Sequence, residues 1–384
     1  MQNKGSLRQY DVIIAGAGPA GCAAALALKD SGLKVALLER DIFPRDKVCG
    51  DAVPARAINT LRKIDTVLAD TFNSFEQKLL TRHTDVVYNN KSLKLHWQIP
   101  AYTCKRIDLD NYLFQLVQQY ASTDVVQDCK VVSVGPGEQG YVITDKQGNT
   151  YHAKLVIGAD GAQSVTSKQL TSTILDREHH IGAVRAYYKG IDKLDADKTE
   201  MYINKNFLPG YFWIFPVAGG MANVGFGMIS SDIVAKKANL RAMFYDFIYG
   251  VPGLKERFKY AEPVGKLEGH SLPLGSRRVQ MSGDNFMLCG DAASLIDPIT
   301  GEGIGNAMAS GRLAGLHAIR CFEHNDFSAA YMKTYDNAVW KELGDELLLR
   351  TRAQKLFRRM PALLDVVFSV AGWEPVRKLI QERF

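Results

Sequence analysis

Three glycines near the start of the chain have the spacing of a phosphate-binding turn. Gly16, Gly18 and Gly21 follow an apolar run at residues 12–15 and precede an alanine- and leucine-rich stretch at residues 22–29. In a G-x-G-x-x-G pattern the first glycine permits a tight turn, the second lets the backbone approach a pyrophosphate, and the third lets the helix pack on the strand. Because the unpaired N–H groups at the helix start carry a partial positive charge, this pattern predicts phosphate binding.

A second apolar run and an acid complete a dinucleotide-binding unit. Residues 35–38 are predicted to form another buried strand, and Glu39 follows it directly. A carboxylate at that position can accept hydrogen bonds from the ribose hydroxyls of an adenosine. The same glycine spacing recurs at residues 135–140, but another strand-like run follows it, so we interpret that stretch as a hairpin turn. The sequence therefore predicts one dinucleotide site, at residues 10–40.

Composition and charge exclude several classes of protein. The chain has 384 residues, 46% of them hydrophobic, which is enough for two or three domains of about 150 residues each. Its net charge of +6 is mild and gives no reason to expect a nucleic-acid partner. Six cysteines without C-x-x-C pairs and eight histidines without ligand spacing predict reduced thiols, a cytoplasmic location and no metal site. No apolar run reaches the ~18 residues that a membrane-spanning helix needs. The oligomeric state stays open.

The elements that must position these residues change character along the chain. Strand-like and helix-like stretches alternate up to a buried strand that ends at residues 160–161. From about residue 181 to 273 the strands are long and aromatic-rich, and residues 219–220 predict a hairpin turn between two of them. A helix is expected at residues 240–249, over that sheet. A strand ending in an acid then returns at residues 285–291, and the last part of the chain reads as helical.

Several motifs together identify a family. Residues 44–51 contain Pro-x-x-Lys-x-Cys-Gly-Asp, residues 211–216 read Tyr-Phe-Trp-Ile-Phe-Pro, and residues 297–303 read Asp-Pro-Ile-Thr-Gly-Glu-Gly. With the glycine fingerprint and the acids that end two strands, they resemble FAD-dependent oxidoreductases of the p-hydroxybenzoate hydroxylase fold. The three motifs narrow the resemblance to the geranylgeranyl reductase family, over residues 11 to about 315.

The resemblance implies an α/β fold with a Rossmann-type FAD-binding domain, an inserted antiparallel-sheet substrate domain and C-terminal helices. We expect the FAD-binding domain to be discontinuous, at residues 1–175 and 280–340. The substrate-binding sheet domain is expected at residues 176–279, and a C-terminal helical segment at residues 341–384.

The resemblance also implies the FAD contacts. Glu39 and Arg40 would hold the adenosine ribose, Arg106 would lie against the cofactor, Val131 would touch adenine through its backbone, and Asp291 would bind the ribityl chain. The turn at residues 301–304 would bring backbone N–H groups to the flavin ring, where negative charge develops on reduction. The full set of expected FAD contacts is Gly16, Gly18, Pro19, Ala20, Gly21, Glu39, Arg40, Cys49, Gly50, Arg106, Val131, Asp160, Asp291, Gly301, Gly303 and Ile304.

One position departs from the family pattern. The family often carries Ser-x-x-Arg soon after the acid-glycine pair at Asp160, whereas here Ser164 is followed at the arginine position by Ser167. The NAD(P)H or flavin contact that this arginine usually makes is therefore in doubt, and the contact expected at Asp160 depends on the acid alone.

Cys49 is the candidate catalytic residue, because the resemblance places it near the flavin ring, where a thiol could donate a proton or orient the substrate. The alternative is a small buried hydrophobic residue, which is the commonest fate of a free cysteine. Tyr211 and Trp213 alternate on a strand and share one face, so they are candidates for an aromatic wall that binds an apolar substrate. By pattern alone they would be ordinary sheet core.

A basic cluster near the C-terminus allows two interpretations. Residues 350–359 contain five basic residues and no acid, and leucine, methionine and valine residues follow at mixed helical spacing. This stretch could rest on an anionic membrane surface, at the inner face of the membrane, or it could be a solvated helix face.

The function that this resemblance implies is reduction of carbon–carbon double bonds in an isoprenoid or similar apolar lipid substrate, by hydride from reduced FAD. Because only one nucleotide fingerprint exists, the electron donor would be NAD(P)H bound transiently or a small redox protein. The main alternative is an FAD-dependent monooxygenase or halogenase acting on an aromatic ring. Halogenases of this fold usually carry Trp-x-Trp-x-Ile-Pro, and Tyr211 and Phe215 depart from that pattern. A non-catalytic flavin- or lipid-binding protein is the third hypothesis.

Overall fold

A computed structural model describes residues 8–89, 91–208 and 210–370. The strands within these ranges are β1 (Arg8–Ala15), β2 (Val35–Leu38), β3 (Ala52–Val53), β4 (Leu79–Tyr88), β5 (Lys91–Thr103), β6 (Thr123–Val126), β7 (Val131–Gly137), β8 (Gly140–Asp145), β9 (Thr150–Gly158), β10 (His180–Lys189), β11 (Lys198–Ile203), β12 (Tyr211–Val217), β13 (Met221–Ile229), β14 (Glu262–Pro273), β15 (Ser282–Gly283) and β16 (Phe286–Leu288). The helices are α1 (Pro19–Ala27), α2 (Ala55–Ile64), α3 (Thr66–Asn73), α4 (Arg106–Tyr120), α5 (Val165–Leu170), α6 (Ser230–Ala235), α7 (Leu240–Gly250), α8 (Leu254–Arg257), α9 (Ile304–His324), α10 (Ala329–Arg359) and α11 (Leu363–Val370).

The first sheet has the parallel core that the fingerprint predicts. Its strand order is β15-β16-β9-β1-β2-β6, and β7 and β8 extend from β9. Strand β1 pairs in parallel with β2 and with β9, and β16 pairs in parallel with β9. The side chains of residues 12–15 are fully buried because this strand is covered on both faces, which explains the continuous apolar run. The expected Rossmann-type sheet is confirmed.

The second sheet runs β14-β10-β13-β12-β11-β4-β5-β3. Its pairings are antiparallel except that β11 and β4 run parallel. Gly219 and Gly220 have positive φ and join β12 to β13, as predicted. Helix α7 covers the face of the second sheet that carries Phe212, and Phe247 of this helix stacks on Phe212 with ring centroids 5.3 Å apart. The expected hairpin and the expected helix over the sheet are both confirmed, as is the hairpin at residues 135–140.

The division of the chain differs from the expected one in two places. Strands β3, β4 and β5 belong to the second sheet, although residues 52–103 were expected in the FAD-binding domain. Alternating apolar residues indicate a strand but do not tell which sheet it joins, so the chain crosses between the sheets earlier than expected. The boundary expected after residue 340 falls inside α10, a continuous helix of 31 residues. Residues 371–384 of the expected C-terminal segment lie outside the described residues.

Within the described ranges, no helix is both long enough and apolar enough to cross a membrane.

Helices α1 and α9 pack with almost no side chain between them. A Cβ at Gly311 in α9 would lie 2.0 Å from the carbonyl oxygen of Ala20, and one at Gly315 would lie 2.7 Å from that of Ala24. Such distances are far below van der Waals contact, so an added methyl group would force the helices apart. This contact fixes α1, and therefore the glycine-rich turn at its start.

We predict that Gly311→Ala lowers the free energy of unfolding by about 1–3 kcal/mol, because the new methyl group overpacks this contact. Gly250→Ala is the matched control, since it also adds a methyl group to a helix but has no atom within 4 Å of the new Cβ. That control should be neutral or stabilising by up to about 1 kcal/mol. Urea denaturation of both variants measures the difference, and equal stabilities would contradict the packing argument.

Candidate active site

The predicted FAD contacts gather around a cavity at the carboxyl ends of the first sheet. Gly16 follows β1 and Glu39 follows β2, and ligands of open α/β sheets bind at such strand ends. The cavity measures about 320 Å³. The predicted residues that line it are Gly16, Gly18, Pro19, Ala20, Glu39, Arg40, Arg106, Val131, Asp160 and Asp291.

The geometry of the turn supports the steric roles predicted for the glycines. Gly16 has φ of +102°, and a Cβ there would lie 2.4 Å from the carbonyl oxygen of Ala159. A Cβ at Gly21 would lie 1.8 Å from the carbonyl oxygen of Gly16, so Gly21 lies beneath the turn and does not line the cavity. Gly18 is the N-cap of α1 and supplies no side-chain acceptor. The first N–H groups of α1 are thus left for a ligand.

Glu39 holds the turn from the other side. Its carboxylate accepts hydrogen bonds from the backbone N–H of Ala17 at 2.8 Å and of Asp41 at 3.1 Å. Each carboxylate oxygen can accept more than one hydrogen bond, so capacity remains for ribose hydroxyls. The ribose contact itself stays a prediction.

Sequence reasoning named Arg106 but missed the buried charge cluster beside the turn to which it belongs. Asp110 is fully buried and accepts hydrogen bonds from Arg106 Nε and Nη2, both at 2.7 Å, and also from Arg45. Burial raises the pKa of Asp110, but Arg106 and Arg45 lower it more, so the net pKa lies below its usual range. Arg45 Nη2 lies 3.7 Å from the position of a Cβ at Gly18. The cluster therefore fixes a cation where a diphosphate would lie.

Lys47 and Asp291 form a second pair that connects distant parts of the chain. Lys47 Nζ donates to Asp291 Oδ2 at 2.8 Å. Burial raises the pKa of Asp291, but the nearby charge of Lys47 lowers it by more, so the pKa of Asp291 lies below its usual range. His270 also lines this cavity, and burial, reinforced by the charge of Lys47, lowers its pKa to about 4. The imidazole is therefore neutral at neutral pH.

Asp160 has a structural role that the sequence did not reveal. Its carboxylate accepts hydrogen bonds from Ser164 Oγ, from the backbone N–H groups of Val165 and Thr166, and from Thr166 Oγ1, at 2.5 to 3.0 Å. These bonds hold the start of α5. The acid also lines the cavity, and an FAD contact there stays a prediction.

A second, apolar cavity of about 80 Å³ adjoins the first one, and His270 lines both. It contains every remaining predicted site residue, namely Cys49, Gly50, Tyr211, Trp213, Gly301, Gly303 and Ile304. The alternation on β12 does place Tyr211 and Trp213 on one face, with ring centroids 5.8 Å apart. The predicted residues of this cavity thus come from three separate stretches of the chain.

Asn223 forms hydrogen bonds behind this apolar surface with a ring nitrogen of Trp213 and with the backbone of Cys49. It accepts a hydrogen bond from the Trp213 indole N–H at 2.8 Å, and its amide donates to the Cys49 carbonyl oxygen at 2.7 Å and to Asp51 Oδ2 at 2.8 Å. A Cβ at Gly225 would lie 2.0 Å from the Trp213 ring, so the ring lies flat on that glycine. No motif assigned Asn223 or Gly225, although Gly225 within a strand is a signal of close approach.

A third cavity of about 340 Å³ continues beyond the apolar one. The two share Ala52, Tyr211, Phe215, Thr300 and Glu302 as walls. Side chains of β4, β5, β11 and β12 form its floor, while α2, α9 and α10 form its roof. We call this space the outer cavity.

The turn geometry predicts that Gly18→Ala separates ligand binding from folding. Gly18 has φ of −74°, and a Cβ there would meet only the Arg45 side chain, so the unliganded protein should keep its thermal stability. A diphosphate approaching the backbone would meet the new methyl group, so FAD affinity should fall about tenfold or more, equivalent to at least ~1.4 kcal/mol. Quenching of FAD fluorescence measures the affinity. Unchanged affinity would place the diphosphate elsewhere.

Comparisons with known proteins agree with this geometry. The sequence family described as FAD binding domain matches residues 9–224, which is more than half of the chain. A digeranylgeranylglycerophospholipid reductase from Thermoplasma volcanium is 28% identical, and the alignment covers 98% of this chain and 97% of that protein.

Two solved structures have the same fold. A geranylgeranyl bacteriochlorophyll reductase-like protein from Thermoplasma acidophilum superposes with a TM-score of 0.79 at 27% identity, covering 91% of this chain and 88% of the other. A flavin-dependent brominase superposes with a TM-score of 0.80 at 20% identity, covering 97% and 92%, which shows a shared fold alone. The chain therefore belongs to the FAD-binding domain family and is an FAD-dependent oxidoreductase, and its relatives include geranylgeranyl reductase-like proteins.

Proposed function

We propose that this protein reduces carbon–carbon double bonds of an isoprenoid or a similarly apolar lipid. The observation that carries the proposal is the apolar cavity between Cys49 and Trp213, which joins the FAD-binding cavity at His270. The outer cavity extends from it and offers room for a chain longer than the reacting bond. A relative that aligns over nearly the whole chain is named for reduction of a digeranylgeranyl lipid, which supports the same substrate class.

The residues of the first cavity fit FAD. The cradle at Gly18, the free N–H groups of α1 and the cation at Arg45 suit a diphosphate, while Glu39 suits the ribose of the adenosine. The pair of Lys47 and Asp291 offers a donor and an acceptor to the hydroxyls of the ribityl chain. We assign Arg40, Arg106 and Val131 to the same cofactor because they line the same cavity.

When bound and reduced, FAD supplies a hydride equivalent to one carbon of the double bond. The protein's contribution is to align the substrate and to exclude water from the reacting bond. Trp213, fixed by Asn223 and by Gly225, forms a rigid wall, and the hydroxyl of Tyr211 is held by a hydrogen bond to the Thr300 carbonyl oxygen. The indole N–H of Trp213 and the hydroxyl of Tyr211 already donate to protein acceptors, so an apolar chain packed between these rings leaves neither donor unpaired.

Cys49 is assigned to this site as a contact of both flavin and substrate. Its side chain is half-buried and lines the apolar cavity, and Asn223 anchors its backbone. A thiol in this place can orient the alkene or supply a proton, and a Cys49→Ala variant distinguishes the two roles because only loss of a proton donor changes how the rate depends on pH.

The electron donor is proposed to bind transiently. Only the unit at residues 10–40 carries the complete dinucleotide fingerprint, and the cavity at its end is the one that fits FAD. NAD(P)H or a small redox protein would therefore reduce the bound flavin without a binding domain of its own.

Anaerobic turnover tests the proposed reaction. The FAD-loaded protein is reduced with dithionite under nitrogen and given geranylgeraniol or a digeranylgeranyl lipid in detergent, and the product is analysed by mass spectrometry. A product heavier by one pair of hydrogen atoms per reduced bond, with reoxidation of the flavin, is the expected result. Product that forms only in the presence of oxygen, or only with oxygen and halide, would instead identify a monooxygenase or a halogenase on this shared fold.

We also propose that α10 rests on an anionic membrane surface. Two of the five basic residues form ion pairs, Arg350 with Asp297 and Arg358 with Asp232 and Glu178. The other three, Arg352, Lys355 and Arg359, are exposed. Exposed apolar side chains accompany them at helical spacing, namely Leu349 and Leu356 on α10 and Met360 directly after it. Basic and apolar side chains side by side are typical of helices that bind the inner surface of a membrane.

Vesicle flotation tests this membrane contact. Changing Arg352, Lys355 and Arg359 to glutamine should weaken binding to phosphatidylglycerol vesicles by roughly a hundredfold, since each basic residue contributes about 1 kcal/mol. The control carries the same charge change at three exposed lysines elsewhere, Lys146, Lys193 and Lys255. Equal flotation of the two triple variants would show that net charge, and not this helix, determines binding.

A further inference from the structure

The outer cavity contains a cluster of charged groups at its junction with the apolar cavity. The cluster consists of Asp297 and Glu302 in the turn before α9, Arg56 in α2, and Glu346 and Arg350 in α10. Of these five, Glu302 alone also lines the apolar cavity. Its neighbours in sequence, Gly301 and Gly303, line that cavity too. Glu302 is therefore the residue of this cluster that lies at the junction of the apolar cavity and the outer cavity.

Two of the three acids in the cluster, Asp297 and Glu346, already form ion pairs with arginines. Asp297 accepts hydrogen bonds from the backbone N–H groups of Ile299 at 2.9 Å and Thr300 at 2.8 Å, and it pairs with Arg350 at 3.0 Å. Glu346 pairs with Arg350 at 2.6 Å and also with Arg56. Each of these two carboxylates therefore already has an arginine partner.

Glu302 is the acid left over in this count. Among the described residues, the Glu302 carboxylate forms no ion pair, because no lysine, arginine or histidine nitrogen lies within 4.0 Å of it. The two arginines balance Asp297 and Glu346, so an ionised Glu302 would add an uncompensated charge beside the apolar cavity. Burial, and then the charge of Asp297, raises the pKa of Glu302 to about 7, while Arg350 opposes this. Glu302 is thus about half protonated at pH 7 and mostly protonated at lower pH.

The other polar groups of the apolar cavity are poor proton donors. The hydroxyl of Tyr211 donates to the Thr300 carbonyl oxygen, and burial together with the charge of Glu302 raises its pKa. The indole N–H of Trp213 donates to Asn223. His270 is neutral at neutral pH, because burial lowers its pKa to about 4. Burial lowers the pKa of Arg185, but the anionic groups around it raise that pKa more, and the alcohol of Thr300 is a very weak acid. Cys49 and Glu302 are therefore the two candidates that remain on the walls of this cavity.

We propose that Glu302 is the proton donor of the reduction, an inference that rests on the proposed function. The π electron pair of the double bond takes the carboxyl proton at one carbon, and the hydride equivalent from reduced FAD completes the second C–H bond. The alkene is thereby reduced, the flavin is left oxidised, and Glu302 is left as a carboxylate. The charges of Arg350 and Arg56 favour that carboxylate, although both arginines also pair with the other acids of the cluster. Solvent returns the proton through the outer cavity, which Glu302 also lines.

The experiment follows a single turnover as a function of pH. The FAD-loaded protein is reduced with dithionite under nitrogen and mixed with geranylgeraniol, and flavin reoxidation is recorded. In the unchanged protein the rate should fall as pH rises through about 7, where the donor loses its proton. Glu302→Gln should lower the rate ~10²–10⁴-fold and remove this limb of the pH profile, because an amide cannot replace the acid. Its FAD affinity should stay within about threefold, since the backbone N–H groups of the turn are unchanged.

Two further variants keep the test decisive. Glu302→Asp should restore the limb of the pH profile with a reduced rate, because it retains an acid with a shorter reach. Cys49→Ala should keep that limb, whatever its rate. Loss of the limb in Cys49→Ala, or a Glu302→Gln variant with unchanged rate and profile, would overturn the proposal and leave the thiol as the donor.

An infrared measurement separates this proposal from the proposed function. The difference spectrum between the unchanged protein and Glu302→Gln, both loaded with FAD, should show a protonated carboxyl band below pH ~7 that disappears above it. If that band is absent, Glu302 carries no proton below pH ~7 and cannot be the donor, whichever substrate the protein takes. If the band titrates but no double bond is reduced, the proposed function fails and the role in alkene protonation fails with it.

Discussion

The structure depends on a helix that approaches its neighbours more closely than any side chain would allow. At the start of α1, Gly21 lies under the carbonyl oxygen of Gly16, and along its length Gly311 and Gly315 of α9 lie against its backbone. Because nothing in these contacts can rearrange by rotating a side chain, the position of α1 is fixed by backbone atoms alone. The N–H groups that suit a diphosphate are therefore placed by packing, before any charged group contributes.

The reacting side of the molecule is organised by hydrogen bonds instead. Asn223, fully buried, holds the Trp213 ring, the Cys49 backbone and Asp51 together. Burial raises the pKa of Asp51 to about 6, although its hydrogen bonds from Asn223 and Tyr187 oppose the shift. Asn223 and Tyr187 thus satisfy one carboxylate oxygen of Asp51, whereas Asp51 Oδ1 and His270 Nε2 have no hydrogen-bond partner among the described residues. Where a lipid chain lies against the Trp213 and Tyr211 rings, the polar atoms of those rings are already paired with Asn223 and with the Thr300 carbonyl oxygen.

The sequence revealed the parts of the site whose signal is local. The glycine turn, the acid after β2 and the alternation on β12 each depend on residues that are neighbours in the chain, and all three are found as predicted. The partners that fix the charges are not local: Arg45 and Asp110 are separated by 65 residues, Lys47 and Asp291 by 244. The membership of β3, β4 and β5 in the second sheet was missed for the same reason, because the sequence of one strand does not reveal which strand it pairs with.

Glu302 shows why a motif can hide chemistry as well as reveal it. Sequence reasoning assigned the two glycines that flank Glu302 to flavin binding, because their backbone N–H groups suit a flavin. It gave the acid between them no role. Only the count of charges around it, with Asp297 and Glu346 already paired to Arg56 and Arg350, distinguishes it from the other acids. With Glu302 protonated the cluster is neutral, so a hydrocarbon chain can pass along it without facing an unbalanced charge. The same protonation state that makes Glu302 a donor therefore makes the junction of the cavities accessible to an apolar substrate.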